Sequence, residues 1–315
     1  MDIRYGRKRS GIKKELNTKV NEWLDSIKDE NVRQIAKDSV IVTGGAIANM
    51  LLGEKINDFD LYFRDKESTK AIAEYYVNLY NENNKEKLGT AALPSNLIVK
   101  EETIENIKGE KEDRVVIWIQ SAGVAHEESE VPYQYFETRP EEETIEYAES
   151  LMKEASDDRE KYRPVFISQN AISLTSKVQI IVRFYGEPDQ IHDNYDFVHA
   201  KCYWDHSKQL LHLPADAMEA MLSRTLIYQG SLYPIASIFR TKKFIERGWR
   251  ITAGQLLKIM WQISEVDLTN INILREQLTG VDMAYMFQLI EALKSVDKEK
   301  MNAVYIAEVI DRIFD

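Results

Sequence analysis

The chain has 315 residues, enough for one large core or two domains, and its 44% hydrophobic and 30% charged content are ordinary for a globular protein. No run approaches the roughly 20 apolar residues that span a bilayer, so no membrane partner is expected. A net charge of −11 argues against broad, nonspecific coating of nucleic acid while leaving room for a local basic groove, and a single cysteine, Cys202, excludes an intramolecular disulfide or a cysteine-based zinc site.

In chain order, "MDIRYGRKRSGIKKEL" is basic, with Arg4, Arg7, Lys8, Arg9, Lys13 and Lys14, and has no apolar segment behind it. It reads as a frayed, solvated terminus or a nucleic-acid arm rather than a secretory signal, and the cytoplasm is the expected location. "KKELNTKVNEWLDSI" and "ENVRQIAKD" have helical periodicity, and "SVIVT" reads as a buried strand. "STKAIAEYYVNLYNE" is a helix with Ser68 and Thr69 as its caps. "LIVKE" and "DRVVIWIQSAG" read as strands that pair. From Ala125 to Glu160 there are 13 acids against three Lys or Arg, the composition of a solvated insertion with a helix around 141–155. "PVFISQNAISLTSKVQIIVRFYG" reads as two β-rich runs joined by "TSK", "EPDQIHDN" as a short helix, and "YDFVHAKCYW" as a strand. From Ala215 the pattern is helical, with Thr252 and Gln255 spaced as a capping box. The fold class is therefore α+β: a small mixed β-sheet domain over 1–214 with an insertion at about 81–162, then an all-α domain over 215–315.

The chemistry concentrates in "VIVTGGAIANMLLGEKINDFDLYF". Gly44 and Gly45, between strand and helix, let backbone amides approach an anion without a β-carbon in the way, and the helix start adds free N–H groups. Asp58 and Asp60 alternate onto one face of the next strand, where a packed sheet gains nothing from two carboxylates. A triphosphate at the glycines and Mg²⁺ on the aspartates satisfy both features.

These residues resemble motif A of the tRNA nucleotidyltransferase (CCA-adding) and poly(A) polymerase family, within the DNA polymerase β-like superfamily. That motif reads Gly-Gly-x-Val-Arg-Asp-x-Leu-Leu-Gly, a spacer, then Asp-x-Asp. Gly44, Gly45, Leu51, Leu52, Gly53, Asp58 and Asp60 fall in place. "YDFVHAKCYWDHSKQLLHLPADAMEAMLSRTLIY" and "YPIASIFRTKKFIERGWRI" are similar more loosely to later family segments. The resemblance implies a nucleotidyltransferase using Mg²⁺ or Mn²⁺. Asp58 and Asp60 would be catalytic and metal-binding; Gly44, Gly45, Asp196, Arg240 and Lys243 would bind nucleotide. The implied partners are a nucleoside triphosphate and an RNA or tRNA 3′ end, or a protein or small-molecule hydroxyl.

The chain departs from the family at Ala48-Asn49, where the family has Arg-Asp; at Tyr195, where it has Arg; and at Gln179, where a third carboxylate belongs. These departures suggest a divergent, phage-encoded branch. They keep a second reading open, a nucleotide-binding pseudoenzyme serving assembly or sensing. Arg240, Lys243 and Arg247 share one helix face, suited to triphosphate, RNA backbone or simple solvation. Asp196 is read equally as a ribose contact or a cap. His192, His199, His206 and His212 lack helical metal-ligand spacing, and the tryptophans read as packing residues.

Overall fold

The computed structural model describes residues 6–87, 96–105, 111–119, 161–268, 273, 277 and 303–314. Helix α1 (Arg9–Ser26) buries Ile12, Leu16, Val20 and Trp23 along one stripe. The chain is docked from Arg9 onward rather than frayed. The Arg9 guanidinium donates to the Leu211 carbonyl at 2.8 Å, and the Lys13 amine lies over the Trp204 ring. Helix α2 (Glu30–Ser39) is capped by Asp29, whose carboxylate accepts the N–H groups of Asn31 and Val32. It runs directly into β1 (Val40–Thr43), buried throughout.

Helix α3 (Gly45–Leu52) and strand β2 (Phe59–Phe63) follow, then α4 (Lys66–Asn83). Asp65 caps α4: its carboxylate accepts from the Ser68 N–H and hydroxyl, so Ser68 and Thr69 lean back on the cap instead of forming it. Strands β3 (Leu97–Glu105) and β4 (Lys111–Ile119) pair antiparallel, as expected, and Val115 and Ile117 join the core. The acidic stretch 125–160 and the helix predicted at 141–155 lie outside the described residues.

The next β-rich segment forms three strands, β5 (Pro164–Ile167), β6 (Ala171–Leu174) and β7 (Val178–Ile181). The extra reversal comes where the Ser168 hydroxyl accepts the N–H of Ala171 at 3.1 Å. After α5 (Pro188–His192), the predicted strand over 195–204 shortens to β8 (Tyr203–Asp205), which pairs with β9 (Leu210–His212). The missing part is drawn out of the sheet. Phe197 bridges to Tyr228, residues 198–200 form a 3-10 turn, and the Ala200 carbonyl holds the Gly44 N–H.

The seven-stranded sheet has the order β5-β6-β7-β2-β1-β8-β9 and is mixed: β2 pairs parallel with β7 and antiparallel with β1. Val40, Val42, Phe59, Leu61, Phe63, Val178 and Ile180 belong to the main core, together with the buried stripe of α1 and with Ile72, Ala73 and Tyr76 of α4. The alternate residues form the other face. There Gln179, Asp60, Thr43 and Tyr203 stand side by side across four strands.

Beyond the sheet lie α6 (Ala215–Ser223), α7 (Pro234–Glu246), α8 (Ala253–Ser264) and α9 (Ala303–Phe314). A short parallel pair, β10 (Thr225–Leu226) with β11 (Arg250–Ile251), interrupts the predicted all-helical run. The protein is α+β. The capping box is not made: Thr252 caps α8 without its side chain, and the Gln255 amide oxygen instead accepts the Tyr228 N–H at 2.8 Å. Trp23, Trp204 and Trp249 are buried as packing residues, whereas Trp261 is exposed on α8. Among the described residues, no helix is long and apolar enough to cross a membrane.

Candidate active site

The site is built where β1 turns into α3. Thr43 anchors the strand end, its hydroxyl 3.0 Å from the Cys202 carbonyl and 2.9 Å from His192 Nε2. Gly44 then adopts φ 93° and ψ −154°, a conformation essentially reserved for glycine. A β-carbon there would lie 2.8 Å from Asp60 Oδ2 and 3.6 Å from the Tyr195 hydroxyl. Gly44 is thus required by the approach of Asp60. Its own N–H is bonded to the Ala200 carbonyl at 3.2 Å, so the anion-facing amides are those of the first turn of α3, from Gly45 onward. Gly45 is exposed, and a β-carbon on it would meet nothing within 4 Å.

Asp58 lies in the exposed loop before β2, and Asp60 lies within β2. Burial, and then the neighbouring Asp58 charge, push the Asp60 carboxyl well above the usual carboxylate range, against the pull of Arg240. Burial also raises Asp58, opposed by a backbone hydrogen bond and by Lys177. Tyr62, next on the same face, is raised by burial and by the Asp60 charge. Two neighbouring carboxylates of like charge, Asp58 exposed and Asp60 half-buried against Gly44, form the kind of site a hard divalent cation relieves, with phosphate oxygens completing its shell. Gln179 pairs with Asp60 in parallel register, so a neutral amide neighbours the Asp60 carboxylate across the strands. Among the described residues, no group of three or more His, Cys, Asp or Glu side chains is placed to hold a metal.

The remaining sequence-predicted residues divide. Arg240 Nη1 donates to Asp196 Oδ2 at 2.7 Å, so Asp196 serves as an ion-pair partner, and the Arg240 charge reaches Asp60 and Tyr62. Lys243 is exposed on α7. Arg247 leaves the predicted basic face: its guanidinium donates to Asn49 Oδ1 at 2.6 Å and pairs with Glu54, which also binds Arg224 at 2.9 Å. Asp205 pairs with Arg64 and stands opposite Ile41, two positions along β8 from Tyr203. His192, His199 and His206 are buried, and His212 is exposed.

Beside the acidic pair opens a pocket of about 130 Å³, whose walls include Gly45, Asn57, Asp58, His199, Arg247 and Trp249. Sequence reasoning did not find Lys177, His199 or Trp249 as site residues. Lys177 donates to the Ile56 carbonyl at 3.2 Å from 121 positions away, and its only sequence sign is the "TSK" reversal.

Fold and site together define a mixed-sheet α+β protein with an acidic pair packed against a glycine-opened helix N-terminus. The chain belongs to the Gabija anti-defense 2 (Gad2) family, whose family model matches residues 14–224. Among solved structures, it is similar to a Thermotoga maritima CCA-adding enzyme complexed with tRNA, at 12% identity and TM-score 0.37, over 93% of this chain and 53% of that one. A CCA-adding enzyme in complex with CTP matches at 13% identity and TM-score 0.34, over 94% and 53%. The chain spans about half the length of these enzymes. No curated protein matches it in sequence.

Proposed function

We propose that the chain is a nucleotidyltransferase that moves a nucleoside monophosphate from a nucleoside triphosphate to a hydroxyl acceptor, and that it acts against Gabija defence through this chemistry. The reading is carried by the Asp60 carboxylate, packed against Gly44 so closely that a β-carbon would collide with it. That contact sets Asp60 at the N-terminus of α3. The acceptor oxygen attacks the α-phosphorus, the bond to the β-phosphate oxygen breaks, and pyrophosphate leaves. The first-turn N–H groups of α3 bind and orient the phosphates. Asp58 and Asp60 would hold Mg²⁺ or Mn²⁺, which when bound supplies charge neutralisation and lowers the pKa of the attacking hydroxyl. Arg240, held by Asp196, balances charge beside Asp60. The acceptor class is an RNA or tRNA 3′ end, or a protein or small-molecule hydroxyl in the cytoplasm.

Gln179 beside Asp60 favours a second reading, a nucleotide-binding pseudoenzyme. The test is to incubate the chain with each α-labelled triphosphate, Mg²⁺ or Mn²⁺, and total host RNA and protein. Label should enter one macromolecular fraction and disappear with Asp58→Ala plus Asp60→Ala. Metal-dependent nucleotide binding without any label transfer would favour the pseudoenzyme. Affinity unchanged between chelator and Mg²⁺ would defeat both readings.

A further inference from the structure

The reversal between β6 and β7 carries backbone strain. Ser176 and Lys177 adopt φ 63° and φ 59°, consecutive left-handed positions that serine and lysine seldom take. Such strain persists where the surroundings over-determine it, and it clusters at functional sites. Here the surroundings hold it from two elements. The Thr175 N–H donates to the Arg163 carbonyl at 2.9 Å, and the Lys19 amine donates to the Ser176 carbonyl at 3.1 Å. From this turn the exposed Lys177 reaches the loop before β2, where its amine donates to the Ile56 carbonyl at 3.2 Å. Phe59 pairs with Val178 and Asp60 with Gln179, so Asp58 and Lys177 each stand one residue before this parallel pairing. Burial raises the Asp58 carboxyl, and a backbone hydrogen bond and then the Lys177 charge oppose that rise.

We infer that the Lys177 ammonium is a built-in second cation of the acidic pair, so that the site takes one divalent ion and not two. The inference rests on the metal reading of Asp58 and Asp60. Charge and ligand supply carry it. Gln179 beside Asp60 is neutral, and among the described residues no third acid joins the pair. A second divalent ion would have to share two carboxylates while standing against a fixed ammonium, which repels it. Arg240 also bears on Asp60, but its guanidinium is paired with Asp196 and its charge is balanced there. Lys177 is bonded to a neutral carbonyl, so its charge remains available to the acidic pair. An ammonium has three donors and binds phosphate as a point charge, which is the service a second ion would give. Glycine at 177 would relieve the backbone but bring no charge to Asp58.

The test is equilibrium dialysis of the full chain against Mn²⁺, alone and with inorganic tripolyphosphate. Ions belonging to the pair are those lost in Asp58→Ala plus Asp60→Ala. The wild type should hold one such ion alone, and one per bound tripolyphosphate. Lys177→Gln removes the charge and should tighten Mn²⁺ alone about fivefold at low ionic strength, a gain that salt shrinks. The same variant should bind tripolyphosphate with Mn²⁺ about fivefold more weakly, because the anion loses a cation. Lys177→Arg should stay near the wild type in both measurements. A lysine that only tethers the loop would shift both affinities of Lys177→Gln in the same direction, and that result overturns the inference. Unchanged Mn²⁺ affinity in Lys177→Gln overturns it as well. Two wild-type ions lost with the aspartates overturn it whatever the lysine variants do, and leave the metal reading of the pair standing. No ion lost with the aspartates removes both.

Discussion

Gly44→Ala tests the packing on which the site is built. Two costs arise together. At φ 93° and ψ −154°, an L-residue is strained by about 1–3 kcal/mol. The new methyl would also lie 2.8 Å from Asp60 Oδ2, closer than a β-carbon tolerates, so the carboxylate must turn away or β2 must shift. Adding about 1 kcal/mol for that displacement gives an expected loss of about 2–4 kcal/mol. Gly45→Ala, one residue on, is the control. Its β-carbon meets nothing within 4 Å and lies in a helix, so stability should stay within about 0.5 kcal/mol or rise slightly.

Urea denaturation at neutral pH measures both variants. A double-mutant cycle with Asp60→Ala separates the terms, because without the carboxylate only the backbone strain remains. Gly44→Ala should therefore cost about 1 kcal/mol less in the Asp60→Ala background than in the wild type. A Gly44→Ala loss below about 0.5 kcal/mol, or an equal loss in both backgrounds, would refute the claimed contact between Gly44 and Asp60.

Gln179→Glu places a third negative charge beside Asp60. Without divalent metal, the melting temperature should fall; with Mg²⁺, the variant should gain more stability than the wild type and, if the chain is an enzyme, transfer nucleotide faster. An Mg²⁺ response identical to wild type would place the amide outside the metal's reach. In an Asp58→Ala plus Asp60→Ala background, which removes the raised carboxyls that would take up protons in the same window, acid should destabilise the fold between pH 6.5 and 4. Burial lowers His192 and His199 to about 4, so the unfolded chain binds more protons in that window and stability falls with pH, at about 1.4 kcal/mol per unit for each fully titrating group. Constant stability from pH 7 to 5 by chemical denaturation would contradict this. Cys202 is fully buried, with its thiol pushed up to about 12, so iodoacetamide at pH 8 should modify it only in denaturant. Native labelling at the denatured rate would show that Cys202 is accessible.

The parts of the site legible in the sequence were those set by short-range geometry. Asp60 falls on the same sheet face as Thr43 because strand side chains alternate, whereas Asp58 lies in the loop just before β2, and Gly44 marks a turn that other residues adopt only with strain. The helical stripe of Ile12, Leu16, Val20 and Trp23 was readable for the same reason. Where several residues compete for one local role, the sequence misled. Asp65, Ser68 and Thr69 can all cap a helix, and Asp65 does so because its carboxylate takes both Ser68 donors. Thr252 and Gln255 have capping-box spacing, but the Tyr228 N–H, distant in sequence, claims the glutamine. Lys177, His199 and Trp249 carry no local pattern at all. They become site residues only when the sheet and α7 bring them beside Asp58.

Set beside the nucleotidyltransferase motif that the sequence resembles, the four departing positions balance in charge. Ala48 removes a cation beside the turn, and Arg247, from just past the end of α7, lines the same pocket. Asn49 replaces an acid and accepts the Arg247 guanidinium, so the substitution at one point fixes the cation at the other. Tyr195 replaces a second arginine and places a hydroxyl near Gly44. Gln179 replaces an acid opposite Asp60. Two cations and two acids are exchanged for neutral groups, which leaves the net charge of these positions unchanged. The local consequence is larger, because a buried carboxylate is already penalised and a third beside Asp60 would add like-charge repulsion. With Gln179, the apo site carries only the Asp58–Asp60 pair, partly offset by Lys177 and Arg240. Less repulsion is thus held in the folded chain, and under the proposed function a metal would rest on Asp58 and Asp60 together with the phosphates.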